Sequence, residues 1–115
     1  MNVVVKARHM DVTDAMRQYV ESKVGKLPRF YDSILSIEAI LDVEADMAAV
    51  EIVVKARRKR TFVAHHRTAD MYACVDQCLD KVTTQIRRYK DRVRDRKATP
   101  REQRDEEPEQ EPESQ

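Results

Sequence analysis

With 115 residues, one glycine, no tryptophan and 37% charged residues, the chain is long enough for one domain and one core, and has little glycine for a phosphate-cradling loop. No apolar run approaches the roughly 20 residues of a membrane span, and no secretory signal opens the sequence, so a cytoplasmic protein without a membrane partner is expected. The formal net charge of +1 hides a segregation: residues 1–100 carry 20 Lys or Arg against 14 Asp or Glu, and residues 101–115 carry two Arg against seven acids.

Asn2–Arg8 is rich in β-branched residues and reads as a first strand. Thr13 and Asp14 then supply an N-cap and a first-turn acid. Met16, Tyr19, Val20, Val24 and Leu27 recur at three and four, which predicts a first helix over Asp14–Leu27 ending at Pro28. From Ile37 the period becomes two. Ile37, Ala39, Leu41 and Val43 form one inward set, Val50, Ile52, Val54 and Ala56 a second, and Phe62, Ala64 and His66 a third. Turns fall near Ala45–Asp46 and in Arg57–Arg60, the latter without the Gly or Asn that tight hairpins favour. Thr68 is placed to cap a second helix over Ala69–Lys97, whose apolar stripe runs through Met71, Val75, Cys78, Val82, Ile86, Tyr89 and Val93. The order β-α-β-β-β-α, with one apolar sheet face and one stripe per helix, predicts an α+β two-layer domain. Its four-stranded sheet carries both helices on one face. The domain is expected over residues 1–98. Residues 99–115, acidic and without an apolar run, are expected to be a disordered tail.

The end of the second helix concentrates charge. Gln85–Lys97 holds seven Lys or Arg against Asp91 and Asp95. At 100° per residue, Arg87, Lys90, Arg94 and Lys97 line one flank of the apolar stripe and Lys81, Arg88 and Arg92 the other. Asp80, Asp91 and Asp95 fall on the back. Lys23 sits nearly on the first helix's stripe and Lys26 on its edge, so both are expected to snorkel toward a groove between the helices. The outer sheet face offers mixed charge (Glu38, Asp42, Glu44, Glu51, Lys55, Arg57) and no aromatic residue. That disfavours base stacking on the strands and favours phosphate contact from the helices with structured RNA.

Other chemistry finds no support. His65 and His66 are consecutive on a strand and face opposite ways, so they leave Cys74 and Cys78 short of a four-ligand zinc site. One cysteine is expected in the core and the other near the rim. Asp76 and Asp80 read as helix-surface acids. No catalytic constellation, metal site, cofactor or small-molecule substrate is expected.

The segment Asp70–Lys90, DMYACVDQCLDKVTTQIRRYK, resembles the ribosome hibernation-promoting factor family, which includes the ribosome-associated translation inhibitors. The family's second helix opens Asp-Met-Tyr-Ala-Ala-Ile-Asp and continues through Asp-Lys-Leu to Gln-Leu and a basic end. The match runs through Asp70, Met71, Tyr72, Ala73, Asp76, Asp80, Lys81 and Gln85, and MRQYVESKVGKL shares the first helix's Lys-x-x-Lys-Leu ending. The similarity spans about Asn2–Lys97, and the β-α-β-β-β-α order is the family's fold. It implies a protein, monomeric in isolation, that binds ribosomal RNA in the messenger and transfer RNA channel of the small ribosomal subunit and blocks translation under starvation or in stationary phase. It also implies RNA contact by Lys23, Lys26, Lys81, Arg88, Lys90, Arg92 and Arg94; the charge rows add Arg87. Cys74 replaces the motif's second alanine, the Arg57–Arg60 turn lacks the usual Gly and is a candidate distinct contact, and His66 replaces a small inward residue. The dimerising domain of the family's long form is not recognised. Two other readings stay open: a regulatory module that binds a protein, and a binder of structured RNA off the ribosome.

Overall fold

The computed structural model describes residues 2–98, with side chains through Arg94. The expected acidic tail and the side chains of Asp95, Arg96 and Lys97 lie outside the described residues. The elements are β1 (Asn2–Arg8), α1 (Asp14–Val24), α2 (Leu27–Phe30), β2 (Ile34–Glu44), β3 (Met47–Ala56), β4 (Arg60–Thr68) and α3 (Met71–Ala98). The sheet runs in the order β1-β2-β3-β4. β1 lies parallel to β2 and the other pairs are antiparallel. α1 and α3 pack on the same face, giving the α+β two-layer fold that the pattern of apolar residues predicts.

The core is one cluster. Ile37, Ala39 and Leu41 of β2, Val50, Ile52 and Val54 of β3, and Phe62 and Ala64 of β4 meet Val20 and Val24 of α1 and Cys74, Val75, Cys78, Val82 and Ile86 of α3. Both cysteines are fully buried, so neither lies at the rim. Each thiol rests against the backbone of β3 and β4: Cys74 Sγ lies 3.1 Å from the His66 carbonyl, and Cys78 Sγ 3.3 Å from that of Ala64. The inward alternation fades at the strand ends. Val43, beside the hairpin turn, is 41% exposed, and His66 is only half-buried.

Local chemistry moves three boundaries. Thr13 caps α1 as expected, accepting from the Met16 amide at 3.1 Å. The helix stops at Gly25, where a β-carbon would lie 2.8 Å from the Glu21 carbonyl oxygen. The chain then restarts as the single turn α2, with Pro28 in the first turn where a missing N–H costs nothing. The cap of α3 is Asp70, whose carboxylate accepts from the Ala73 amide at 2.9 Å, while Thr68 ends β4. Both hairpins place two non-glycine residues in the left-handed region: Ala45 and Asp46 (φ 49° and 66°), and Arg58 and Lys59 (φ 64° and 59°).

The helices also serve the outer strands. Arg17 of α1 donates to the Val5 carbonyl of β1 at 3.4 Å. Lys81 and Gln85 of α3 donate to the β4 carbonyls of His65 and Val63 at 3.0 and 2.7 Å. On the far side of the sheet, Lys6 pairs with Glu38 at 2.8 Å. Asp42, expected as a solvated charge, is 8% exposed. It accepts from the Val43 amide at 2.8 Å and lies 2.9 Å from His9 Nδ1.

Candidate nucleic-acid interface

α3 projects past the helical layer's contacts with α1, and its basic residues divide between two neighbours. Toward α2, Lys90 donates to the Phe30 carbonyl at 2.7 Å and sits 4.4 Å from the Phe30 ring centre. Arg87 is exposed, its guanidinium 5.8 Å from the same ring. Phe30 thus steadies two cations from one helical face, because a ring's negative quadrupole attracts positive charge. On the opposite flank Lys81 reaches the edge of β4. Arg88 and Arg92, seven and eleven residues on, fall close to the same angular position and are exposed. Arg94 is exposed and pairs with Asp91 at 2.9 Å. That pair interrupts the sorting of signs expected from the sequence, at small energetic effect, since an exposed pair of this kind is worth roughly 0–1 kcal/mol.

Lys23 does snorkel into the inter-helix groove, with its Nζ 5.3 Å from the Tyr19 ring centre. It also lies 3.7 Å from the Asp76 carboxylate. Asp76 is therefore no plain surface acid. It accepts from the Tyr19 hydroxyl at 2.7 and 2.9 Å and so ties α1 to α3. The same hydrogen bond, helped by burial, raises the Tyr19 phenol above its usual 10.0, which keeps it a donor at neutral pH. Lys26 is exposed at the α1–α2 junction. The eight predicted residues thus fall into a pair on Phe30 (Arg87, Lys90), an outer flank (Lys81, Arg88, Arg92), Lys23 beside Tyr19 and Asp76, and Lys26 and Arg94 apart from these.

A second aromatic group stands at the start of β4. Tyr89 packs edge-on against Phe62 with ring centres 5.7 Å apart. The Arg60 guanidinium lies 4.3 Å from the Tyr89 ring centre and extends the basic surface beyond the helices. The sequence marks Arg60 only as part of the basic Arg57–Arg60 turn, a candidate contact separate from the helix rows, and Phe30 was missed because a lone aromatic near Pro28 has no period.

The buried thiols offer no nucleophile. Burial raises both, Cys78 to about 12. No group of three or more His, Cys, Asp or Glu residues among the described ones is arranged to hold a metal ion. Among the same residues, no helix is long and apolar enough to cross a membrane.

Comparison with known proteins agrees with this architecture. Residues 3–94 match the family described as Sigma 54 modulation protein / S30EA ribosomal protein. A ribosome hibernation promoting factor of Azotobacter vinelandii is 37% identical over 82 residues, covering 71% of this chain and 76% of that protein. A ribosomal subunit interface protein from Coxiella burnetii superposes with a TM-score of 0.73 at 28% identity, over 78% of this chain and 98% of that one. The N-terminal domain of Thermus thermophilus Protein Y gives 0.70 at 32% identity, over 77% and 99%. With the match running from β1 almost to the end of α3, the chain belongs to the Sigma 54 modulation protein / S30EA ribosomal protein family.

Proposed function

We propose that this protein is a ribosome hibernation factor that acts by occupancy, without covalent chemistry. It lies with its helical face on ribosomal RNA of the small subunit, in the channel that holds messenger and transfer RNA, and does so when growth stops. The observation that carries this reading is the cationic surface of the helices and the adjoining start of β4. Lys23, Arg87, Lys90 and Arg60 rest on aromatic rings, and Arg88 and Arg92 flank them. A cation laid on a ring loses less freedom on meeting a phosphate than one free in solvent, so such a surface is prepared for a polyanion. The sheet's outer face, by contrast, carries the Lys6–Glu38 and Arg67–Glu44 pairs and no net sign that suits RNA. The names of the related proteins favour the ribosome over other RNAs and over a protein partner.

Co-sedimentation with purified small subunits tests the reading. Transfer RNA is expected to compete. Arg87→Glu with Arg88→Glu reverses one exposed residue on each flank and leaves the core untouched. With charge-assisted contacts worth roughly 1.5–3 kcal/mol each, the double variant is expected to lose about a hundredfold or more in affinity. Unchanged pelleting of a folded double variant would show that the helical face is not the interface.

A further inference from the structure

The groove between α1 and α3 contains something that phosphate binding does not explain. Asp76 is a carboxylate set in a cationic region, and it repels phosphate. Its side chain is 45% exposed. The single Tyr19 hydroxyl proton is shared between the two Asp76 oxygens, and a carboxylate has about four acceptor positions, so acceptor capacity remains toward solvent. One helical turn before it, Tyr72 is 39% exposed and is held edge-to-face against Tyr19, with ring centres 4.9 Å apart at 86°. Lys23 stands on the opposite wall, 3.7 Å from Asp76. An exposed ring, a fixed acceptor and a cation thus lie together around Tyr19, where α1 meets α3. A single nucleotide presents the complements of all three: a base plane, a base-edge amine and a phosphate.

We infer that Tyr72, Asp76 and Lys23 form a subsite for one unstacked nucleotide whose base carries an exocyclic amine. The base lies against Tyr72, its amine donates to Asp76, and its phosphate meets Lys23. Unpaired bases are recognised in this way, by stacking and by their hydrogen-bonding edges. Cytosine suits the site, since a carboxylate accepts from its amine. Uracil offers a carbonyl at the corresponding position, which a carboxylate repels. The inference rests on the RNA-binding reading above but uses residues outside the outer flank of α3.

The test uses the full chain and two labelled hexaribonucleotides, all-cytosine and all-uracil, at one low salt concentration. Equal length and charge cancel the phosphate contribution from their ratio. The wild type is expected to prefer cytosine by about tenfold. Tyr72→Leu is expected to weaken both by about five- to a hundredfold while keeping the ratio. Asp76→Asn keeps an acceptor for Tyr19 and adds an amide donor that uracil accepts, so the ratio is expected to fall toward one. Thermal melts of both variants check that the fold survives. If the wild type binds small subunits yet shows no preference between the oligonucleotides, or binds neither, the subsite is overturned and the ribosomal reading stands. The same holds if Asp76→Asn leaves the ratio intact. If the wild type binds neither subunits nor oligonucleotides, both are overturned.

Discussion

Asp42 shows how one side chain can carry a pH dependence. Its hydrogen bond with His9, aided by that from the Val43 amide, holds the carboxyl below its ordinary 3.8, although burial opposes the shift. A carboxylate favoured in the folded state contributes stability above its unfolded pKa, and loses it as pH falls through the folded value. His9→Ala is therefore expected to lower the urea midpoint at pH 7, and the difference from wild type is expected to narrow at pH 3. A gap of equal size at both pH values would remove Asp42 from the explanation. The cysteines make the opposite case, since burial disfavours their thiolates. A disulfide-exchange reagent at pH 8 is expected to find almost no thiol in the native chain and two after denaturation. Rapid native labelling would contradict the burial of α3's inner face.

Among the elements, the hairpins carry the clearest strain. Left-handed backbone costs a non-glycine residue about 1–2 kcal/mol, and Arg58–Lys59 holds two such residues in succession. Lys59→Gly relieves one of them, less the extra freedom glycine gains in the unfolded chain. The expected net gain is about 0.5–1 kcal/mol, read as a rise of a few degrees in melting temperature. Alternation is a local signal, so the strands here and the glycine-free turn between them are legible in the residues, but the left-handed backbone at Arg58 and Lys59 is not. The sequence misplaced the end of α1 for a related reason. Pro28 is a recognised helix stop, yet it is equally suited to a first turn, and the break was made by Gly25 three residues earlier. The basic rows on α3 were legible because 100° per residue fixes their angles. What each row faces was not, since Phe30, the β4 edge and Tyr19 meet α3 only through tertiary packing.

For the molecule as a whole, charge is divided between faces rather than spread evenly. If about six phosphates are met by the helical face, log K for small subunits is expected to fall by roughly 4–5 per unit of log salt. Arg87→Glu with Arg88→Glu is expected to flatten that slope as well as lower affinity. Binding that ignores salt from low to physiological ionic strength would favour a protein partner. The sheet's rims have a different consequence. Carbonyls of β1 and β4 are already answered by Arg17, Lys81 and Gln85. A bare outer strand is a template on which another chain can add its own, and strand addition of this kind seeds fibrils. Here the template is blunted by side chains from two helices, α1 and α3. Lys81→Ala with Gln85→Ala is expected to make sedimentation concentration-dependent, and in time to yield dye-binding fibrils, under conditions where the parent chain does neither. On the proposed RNA-binding reading, a substitution at Lys81 that weakens RNA contact also loosens a guard against self-polymerisation, so change at this position is constrained by solubility as well.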